Sequence, residues 1–222
     1  MGQAKKINTK QKKFFRPVIN NNSIRNGRLF KKEYLWYPYG KNLKIDAETL
    51  LKENIKPYYD FYLKPNKEKL QERSEVKKGL YKWWELTRER TWQFEKKSKL
   101  ISTEFGKSGS FAYDLSGDFI VERGNAWLLK EELNEEFHYA YLAIFNCKFF
   151  DELLAMYSKQ IAGGNWWYLG NKFVKGIPLP DLKIAEFEIF NYLVEYGKKF
   201  VDGEEFNSRI LYEGVKQLYT SN

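Results

Sequence analysis

Two short strands joined by a tight turn are predicted by residues 100–113, which read LISTEFGKSGSFAY. Apolar and aromatic side chains fill both ends of this stretch, and Gly106 and Gly109 punctuate its middle. A third segment of the same kind, residues 126–129, follows after two further glycines. The middle of the chain is therefore predicted to form a β-sheet region with tight turns.

Helices are predicted to follow this sheet. Apolar residues recur at the helical spacing from Asn134 to Tyr157, which indicates two helices or one kinked helix. Residues 177–180, Ile-Pro-Leu-Pro, stop regular structure, and Asp181 can then serve as the N-cap of the next helix. A last helix is predicted after Gly203.

The N-terminal part of the chain is predicted to mix strands and helices. An extended piece at residues 14–19 and an aromatic strand at residues 34–37 come first. Asp46 can cap a helix that Pro57 ends or kinks, because proline cannot donate a backbone hydrogen bond. A short charged helix is predicted over residues 67–78.

Positive charge is concentrated near the start of the chain. Residues 1–32 carry 10 basic side chains and no acidic one, and the formal net charge of the whole chain is +9. A polyanion bound by this half would be held largely through counterion release, so its affinity would fall steeply as salt rises. For residues 1–13 alone, the alternative is a flexible basic leader.

Histidine and cysteine are too scarce for several kinds of site. His138 and Cys147 are the only residues of their types, which excludes a zinc cage, an intramolecular disulfide and a relay of imidazoles. His138 fits a helix face and Cys147 a core position. A lone thiol is typical of a reducing cytoplasm, and no apolar stretch follows the basic start, so neither a signal peptide nor a membrane-spanning helix is expected.

Aromatic and basic residues alternate in residues 83–92, WWELTRERTW. Such a mixture suits stacking on bases and pairing with phosphates or guanine edges, which makes Arg88 and Arg90 candidates for DNA contacts. The alternative is a pair of core tryptophans, Trp83 and Trp84, with arginines that extend to the surface.

Two small polar loops are further candidates for close approach to DNA. Lys107, Ser108 and Ser110 lie in the turn between the first two predicted strands of the sheet. Residues 163–165, Gly-Gly-Asn, precede an aromatic strand at residues 166–169 and would present Asn165 to a base edge or a backbone. A plain hairpin turn is the alternative for this second loop.

Catalytic motifs are not found in the sequence. We find neither a glycine-rich phosphate loop nor a nucleophile elbow. Asp114, Asp118 and Glu122 could be combined into a magnesium-dependent nuclease site, although 29 carboxylates make such combinations frequent by chance. A third possibility is a protein-assembly module that uses its aromatic surface and final helices.

Eight short motifs occur in a fixed order along the chain. They are Arg16-Pro17, residues 34–39 (YLWYPY), residues 84–90 (WELTRER), residues 99–101 (KLI), residues 111–114 (FAYD), residues 142–147 (LAIFNC), Gly163-Gly164 and residues 177–180 (IPLP). In this order they resemble the TaqI-like C-terminal specificity domain, the target-recognition domain of adenine-specific DNA methyltransferases and of fused restriction-modification enzymes. The resemblance covers roughly residues 14 to 182.

This resemblance implies an α+β fold, in which helices flank a curved mixed or antiparallel β-sheet and a helical pair closes the chain. Residues 1–13 would be the leader, residues 14–180 the recognition domain and residues 181–222 the closing spacer or packing helices. The domain would read a short duplex sequence while a separate catalytic domain flips and methylates adenine.

The resemblance also implies partners and cofactors. Adenine methyltransferases carry an Asn-Pro-Pro-Tyr or Asn-Pro-Pro-Phe motif, and nothing like it occurs in these 222 residues. The chain itself is therefore expected to be non-catalytic, with S-adenosylmethionine and magnesium confined to the catalytic domains of a parent enzyme. Expected partners are double-stranded DNA and a methyltransferase or nuclease domain in cis or in trans, without a membrane, in a bacterial or archaeal cytoplasm. The closing helices could also mediate self-association.

The predicted DNA contacts fall into two groups. One group would clamp phosphates along one side of the duplex: Arg16, Arg25, Arg28, Lys31 and Lys32. The other would contact base edges or the backbone: Arg88, Arg90, Lys107, Ser108, Ser110, Asn165 and Trp166.

Overall fold

The computed structural model describes residues 9–20, 22–31, 33–40, 43, 45–87, 90–130 and 133–220. It divides into two compact units. The first comprises Met1–Pro17 and Tyr34–Lys96, and the second comprises Val18–Glu33 and Lys97–Asn222. Helices and small antiparallel sheets occur together, so the predicted α+β class is confirmed.

Strands and helices are short except in the C-terminal half. The strands are β1 (Phe15–Pro17), β2 (Ile24–Arg25), β3 (Arg28–Leu29), β4 (Tyr34–Trp36), β5 (Lys99–Ser102), β6 (Phe105–Gly106), β7 (Phe111–Asp114), β8 (Asn125–Trp127) and β9 (Trp167–Tyr168). The α-helices are α1 (Thr9–Lys12), α2 (Glu48–Tyr58), α3 (Lys67–Gln71), α4 (Ser74–Lys77), α5 (Glu135–Asn146), α6 (Lys148–Tyr157), α7 (Asn171–Val174), α8 (Phe187–Asp202) and α9 (Ser208–Thr220).

The first unit is built around aromatic residues. Strand β1 pairs antiparallel with β4, which places Phe15 opposite Trp36. Helix α2 leaves helical geometry at Ile55, two residues before Pro57, so the predicted kink is observed. A cluster of buried apolar side chains fills the space between these elements: Phe14, Trp36, Ile45, Leu51, Ile55, Tyr59, Leu63, Trp83 and Trp84.

Trp83 and Trp84 belong to this core. Both side chains are buried, and their rings meet edge to face with centroids 5.4 Å apart. Trp84 Nε1 donates to the carbonyl of Ile45 at 3.2 Å, and Trp83 Nε1 donates to the Glu48 carboxylate at 3.3 Å. Each buried indole N–H thus has an acceptor, as burial of a polar group requires. Of the two interpretations of this pair, the structure supports the core.

The second unit contains the sheet predicted from residues 100–113. Strand β5 lies between β7 and β8, and both pairings are antiparallel, with Leu100 opposite Tyr113 on one side and Trp127 on the other. Strands β5 and β7 are buried along their whole length. Helix α5 packs with this sheet in one apolar cluster that includes Leu100, Phe111 and Phe145.

A break at Cys147 separates α5 from α6, in agreement with the predicted pair of helices. Cys147 is extended, with ψ of 145°, and its Sγ accepts the backbone N–H of Phe149 at 3.4 Å. Helix α8 then crosses α5 closely at Gly197, where an added Cβ would collide with the backbone of Tyr139. Only glycine fits this crossing.

Helix α8 begins later than predicted. The expected N-cap, Asp181, instead closes a local turn in which its side chain accepts the N–H of Lys183 at 3.0 Å. An aspartate that bonds a backbone N–H two residues on is an Asx turn, which competes with helix formation. The helix therefore starts at Phe187, and the predicted C-terminal pair consists of α8 and α9.

Each of the two units is discontinuous in sequence. Residues 18–33, which lie near the start of the expected recognition domain of residues 14–180, belong to the second unit although the residues on both sides of them belong to the first. Residues 1–8 of the expected leader, residues 1–13, lie outside the described residues. Residues 9–12 of the leader form α1. None of the helices in the described ranges combines the length and the apolar character that crossing a membrane requires.

Candidate nucleic-acid interface

A two-residue hairpin in the second unit presents two arginines side by side. Strands β2 and β3 are joined by Asn26 and Gly27, whose φ angles are +48° and +78°. Positive φ at both positions is the geometry of the type I′ turn, for which Asn-Gly is strongly preferred. The register places Arg25 opposite Arg28, and both side chains are exposed.

Asn146 holds the loop of residues 107–110 in place. Its buried side chain lies at the end of α5, and its Oδ1 accepts the N–H groups of Gly109 at 2.9 Å and Phe111 at 3.2 Å. Its Nδ2 donates to the carbonyl of Phe111 at 3.0 Å. Gly27 N–H in turn donates to the carbonyl of Gly109 at 3.2 Å, so the loop and the hairpin are joined.

The two serines of this loop are engaged within the protein. Ser108 donates both its N–H and its hydroxyl to the Asp151 carboxylate, at 2.6 and 2.7 Å. Ser110 is buried, and its Oγ accepts the N–H of Lys107 at 3.1 Å. The hydroxyls therefore shape the loop, while the Lys107 side chain is exposed.

A hollow of about 760 Å³, which we call the cationic groove, lies on one side of this loop. Four basic side chains line it: Arg25, Arg28, Lys148 and Lys199. Two acidic residues of the connection between α8 and α9 also line the groove, namely Glu204 and Glu205. The Cys147 thiol also contributes, and burial raises its pKa to about 11, so this group is neutral near pH 7.

The four cations of the groove have no ion-pair partners in the described part of the chain. None of them lies within ion-pair distance of a described carboxylate, although Glu204 and Glu205 line the same groove. Two of them are held over aromatic rings instead, with Arg28 5.9 Å from the Phe30 centroid and Lys199 5.0 Å from the Tyr196 centroid. Such contacts position a cation without cancelling its charge.

A second hollow of about 320 Å³, which we call the tryptophan cleft, adjoins the same loop through Ser110. Its walls are mainly apolar and include Ile24, Phe105 and Trp166. Gly163 and Gly164 also line it, and Trp166 is 45% exposed. Asn165 is exposed beside the cleft, between Gly164 and Trp166.

The structure thus brings part of the predicted set together. Residues from the hairpin, from the 107–110 loop and from the 163–166 loop line two hollows of the second unit: Arg25, Arg28, Ser108, Ser110 and Trp166. Lys31 belongs to the same unit, and its Nζ lies 3.7 Å from Asp118. Lys32 lies outside the described residues.

The remaining predicted residues belong to the first unit. Arg16 is buried, donates to the backbone carbonyl of Gln93 and lies 5.4 Å from the Tyr37 ring centroid, so its guanidinium is used inside the unit rather than offered to a phosphate. Arg90 is exposed just before the helical turn at Thr91–Gln93. Arg88 lies outside the described residues.

Asp114, the first residue of the alternative nuclease site, has a structural role. Its buried carboxylate lies 2.7 Å from Lys99 Nζ and also accepts the backbone N–H of Phe119 at 3.0 Å. Asp118 faces Lys31 instead. Within the described ranges, no group of three or more His, Cys, Asp or Glu side chains is arranged to hold a metal ion.

Sequence patterns do not point to several residues of the candidate site. The dipeptide Asn26-Gly27 is a strong hairpin signal that could have revealed the β2–β3 turn. No comparable local signal exists for Lys148 and Lys199, because their position at the groove depends on how α6 and α8 pack. Asn146 lies within the LAIFNC motif, but its partners are distant in sequence.

Comparisons with known proteins give structural similarity without a match in sequence. No protein-family model matches the sequence, and no curated protein matches it either. Among solved structures, the chain is similar to the type IIG restriction endonuclease BpuSI, with a TM-score of 0.45 and 14% identity. The similarity covers 93% of this chain and 26% of that structure, so this chain spans about a quarter of its length.

Proposed function

We propose that this chain is a DNA target-recognition module of a restriction-modification system and that its second unit carries the contact surface. The observation that carries this proposal is the convergence of Arg25, Arg28 and Trp166 on two hollows that share the 107–110 loop. The order of sequence motifs shared with TaqI-like specificity domains supports the same function, as does the net charge of +9.

The two hollows would make different kinds of contact with DNA. Arg25 and Arg28 would contact phosphates, which fix the position of a duplex without reading its sequence. The 107–110 loop and Trp166 would approach base edges or sugars, since an exposed indole beside glycines can stack against a flat, uncharged surface. Lys107 would add a further phosphate contact, because its side chain is exposed at the same loop.

The chemistry would belong to another domain. Methylation of adenine, with S-adenosylmethionine as methyl donor, and any magnesium-dependent cleavage would take place in a catalytic domain in cis or in trans. The role of this chain would be to hold the target sequence in register with that domain.

The direct test is selection from a randomised duplex pool, with binding followed by fluorescence anisotropy. We expect an enriched short sequence and an affinity that falls steeply between about 50 and 200 mM salt. The double variant Arg25→Gln/Arg28→Gln should lower the slope of log K against log salt by about 2, since two phosphate contacts are lost. Lys172→Gln/Lys175→Gln, two exposed cations outside the groove, is the matched control.

The outcomes separate the possible functions. Salt-dependent binding without an enriched sequence would indicate a general DNA clamp and contradict target recognition by the isolated chain. No binding at about 50 mM salt would overturn the proposal altogether. Cleavage of plasmid DNA with magnesium and no partner would favour a nuclease instead.

A protein-assembly role has one observation in its favour. Phe187, the first residue of α8, is 77% exposed, and Ile184, three residues before the helix, is 81% exposed. Large apolar side chains exposed to this degree often mark a protein-protein contact. Self-association through this end of α8 would raise the mass measured by light scattering, and Phe187→Ser should return the mass to that of one chain.

A further inference from the structure

Helix α8 reaches the cationic groove although it was expected only to pack against protein. Lys199, in its last turn, and Lys148, the first residue of α6, line the same hollow as the hairpin arginines. Arg28 packs against the end of α8, since a Cβ added at Gly203 would lie 2.7 Å from the Arg28 Cζ. The hairpin and the two helices therefore line one groove together.

Four like charges around one hollow favour an anionic occupant. Mutual repulsion disfavours such an arrangement in the free protein, and concave walls concentrate the positive potential. Neither lysine has an ion-pair partner among the described residues, so each ammonium group is available to an external anion. The Tyr196 ring holds Lys199 in its position on the groove.

Neighbouring lysines show that this placement is specific. Lys198 directly precedes Lys199 on α8, but its Nζ lies 5.8 Å from the Tyr139 ring centroid and it does not line the groove. Lys216 on α9 lies over the Tyr212 ring in the same manner, also away from the groove. Lys198 and Lys199 thus have different surroundings although they are adjacent in sequence.

We propose that Lys148 and Lys199 bind the phosphodiester backbone of duplex DNA in the same groove as Arg25 and Arg28. Helix α8 is then part of the DNA interface as well as a packing helix. Glu204 and Glu205 limit the phosphate path at one end of the groove, because their carboxylates repel phosphate oxygens. This inference rests on the proposed DNA-binding function.

The test compares two double variants of equal charge in the full chain. Lys148→Gln/Lys199→Gln removes the groove lysines, and Lys198→Gln/Lys216→Gln removes two ring-held lysines elsewhere. For the groove pair we expect the slope of log K against log salt to fall by about 1.8, which is about 0.9 for each lost phosphate contact. The ratio of the wild-type affinity to the affinity of this variant should then shrink by about 10-fold between 50 and 200 mM salt. The control pair should leave the slope close to that of the wild type.

A third variant tests the acidic end of the groove. Glu204→Gln/Glu205→Gln should bind the same duplex more tightly than the wild type at low salt, and this gain should vanish at high salt because the repulsion is screened. Weaker or unchanged binding at low salt would contradict the assigned path of the phosphates.

The failures of the two proposals can be told apart. If the wild type binds DNA and the two lysine pairs have equal effects, only net charge matters and the groove assignment is overturned. If the wild type does not bind DNA at about 50 mM salt, both the proposed function and this inference fail. Circular dichroism of each variant establishes that the fold is retained.

Discussion

The side-chain oxygen of Asn146 accepts the backbone N–H of Gly109 at 2.9 Å, which ties the end of α5 to the loop between the two hollows. The same oxygen accepts the N–H of Phe111, and the amide nitrogen donates to the Phe111 carbonyl. One buried side chain thus satisfies three backbone groups. Because the Gly109 carbonyl also accepts the N–H of Gly27, Asn146 positions both the loop and the arginine hairpin.

Replacing Asn146 by leucine should destabilise the second unit. The N–H groups of Gly109 and Phe111 would lose their acceptor, and each unsatisfied buried group costs about 1–3 kcal/mol. We expect the free energy of unfolding measured in urea to fall by at least about 2 kcal/mol. Hydrogen exchange of these two amides should accelerate more than that of the amides of β5.

Asn146→Asp is the informative control for this prediction. A protonated aspartic acid keeps both acceptor positions and can donate to the Phe111 carbonyl, whereas the ionised carboxylate would be a buried charge against that carbonyl. At about pH 4, its effect on the free energy of unfolding should therefore be smaller than that of leucine. Equal effects would mean that the two accepted hydrogen bonds contribute little.

Gly27→Ala should destabilise the hairpin for two reasons. The φ of +78° costs a residue with a side chain about 1–2 kcal/mol, and the new Cβ would also lie 2.7 Å from a Phe200 ring carbon. Gly163→Ala separates the two causes, because Gly163 has φ of +91° with no atom near the added Cβ. Urea denaturation should show a larger loss of unfolding free energy for Gly27→Ala, and equal losses would argue against the close contact with Phe200.

Trp166→Ala should weaken DNA binding without a large change in stability. Trp166 is 45% exposed, and burying its apolar surface against sugars or base edges contributes about 1 kcal/mol. We therefore expect a loss of affinity of roughly 5-fold or more, with Trp166→Phe retaining most of the binding. Trp92→Ala, which removes an indole of similar exposure from the first unit, is the control in the anisotropy assay. An equal loss in both variants would remove Trp166 from the interface.

His138 should make the stability of the second unit depend on pH. Burial lowers the pKa of His138 below its ordinary value of 6.5, an effect that Glu135 partly opposes, and within the described residues its Nδ1 has no hydrogen-bond partner. Below pH 6.5 the unfolded chain therefore binds more protons than the folded one, so this contribution to stability is full above that pH and declines as pH falls.

His138→Phe isolates this contribution, because a phenyl ring can keep the stacking on Tyr113 at 5.0 Å. Urea denaturation at about pH 7.5 and about pH 5.5 should show the wild type losing more unfolding free energy than the variant over this range. Parallel losses in the two proteins would mean that His138 protonates equally in the folded and unfolded states.

Local patterns predicted the sheet and the helices well, because these elements depend on neighbours in sequence. The strands β5, β7 and β8 and the break between α5 and α6 lie where alternation, glycines and helical spacing indicated. The start of α8 was missed because Asp181 can cap either a helix or an Asx turn, and the sequence pattern does not distinguish the two.

The candidate site was predicted less completely. Arg25 and Arg28 were chosen for their charge, and the structure places both at the groove. The charge of Arg16 indicates a DNA contact in the same way, but this side chain is buried against Gln93 and Tyr37. Charge alone does not predict which guanidinium groups have hydrogen-bond acceptors inside the protein. Ser108 and Ser110 lie in the expected loop, yet their hydroxyls bond within the protein.

The sequence by itself determined the excess of positive charge in the first half and most element positions, because each follows from composition or from short-range spacing, and its resemblance to TaqI-like specificity domains implied the α+β class. Only the tertiary structure decided that residues 18–33 join the second unit and that Lys148 and Lys199 line the same groove as the hairpin arginines. These relationships join residues far apart in the chain. They are set by which buried surfaces pack together, and no local pattern encodes that choice.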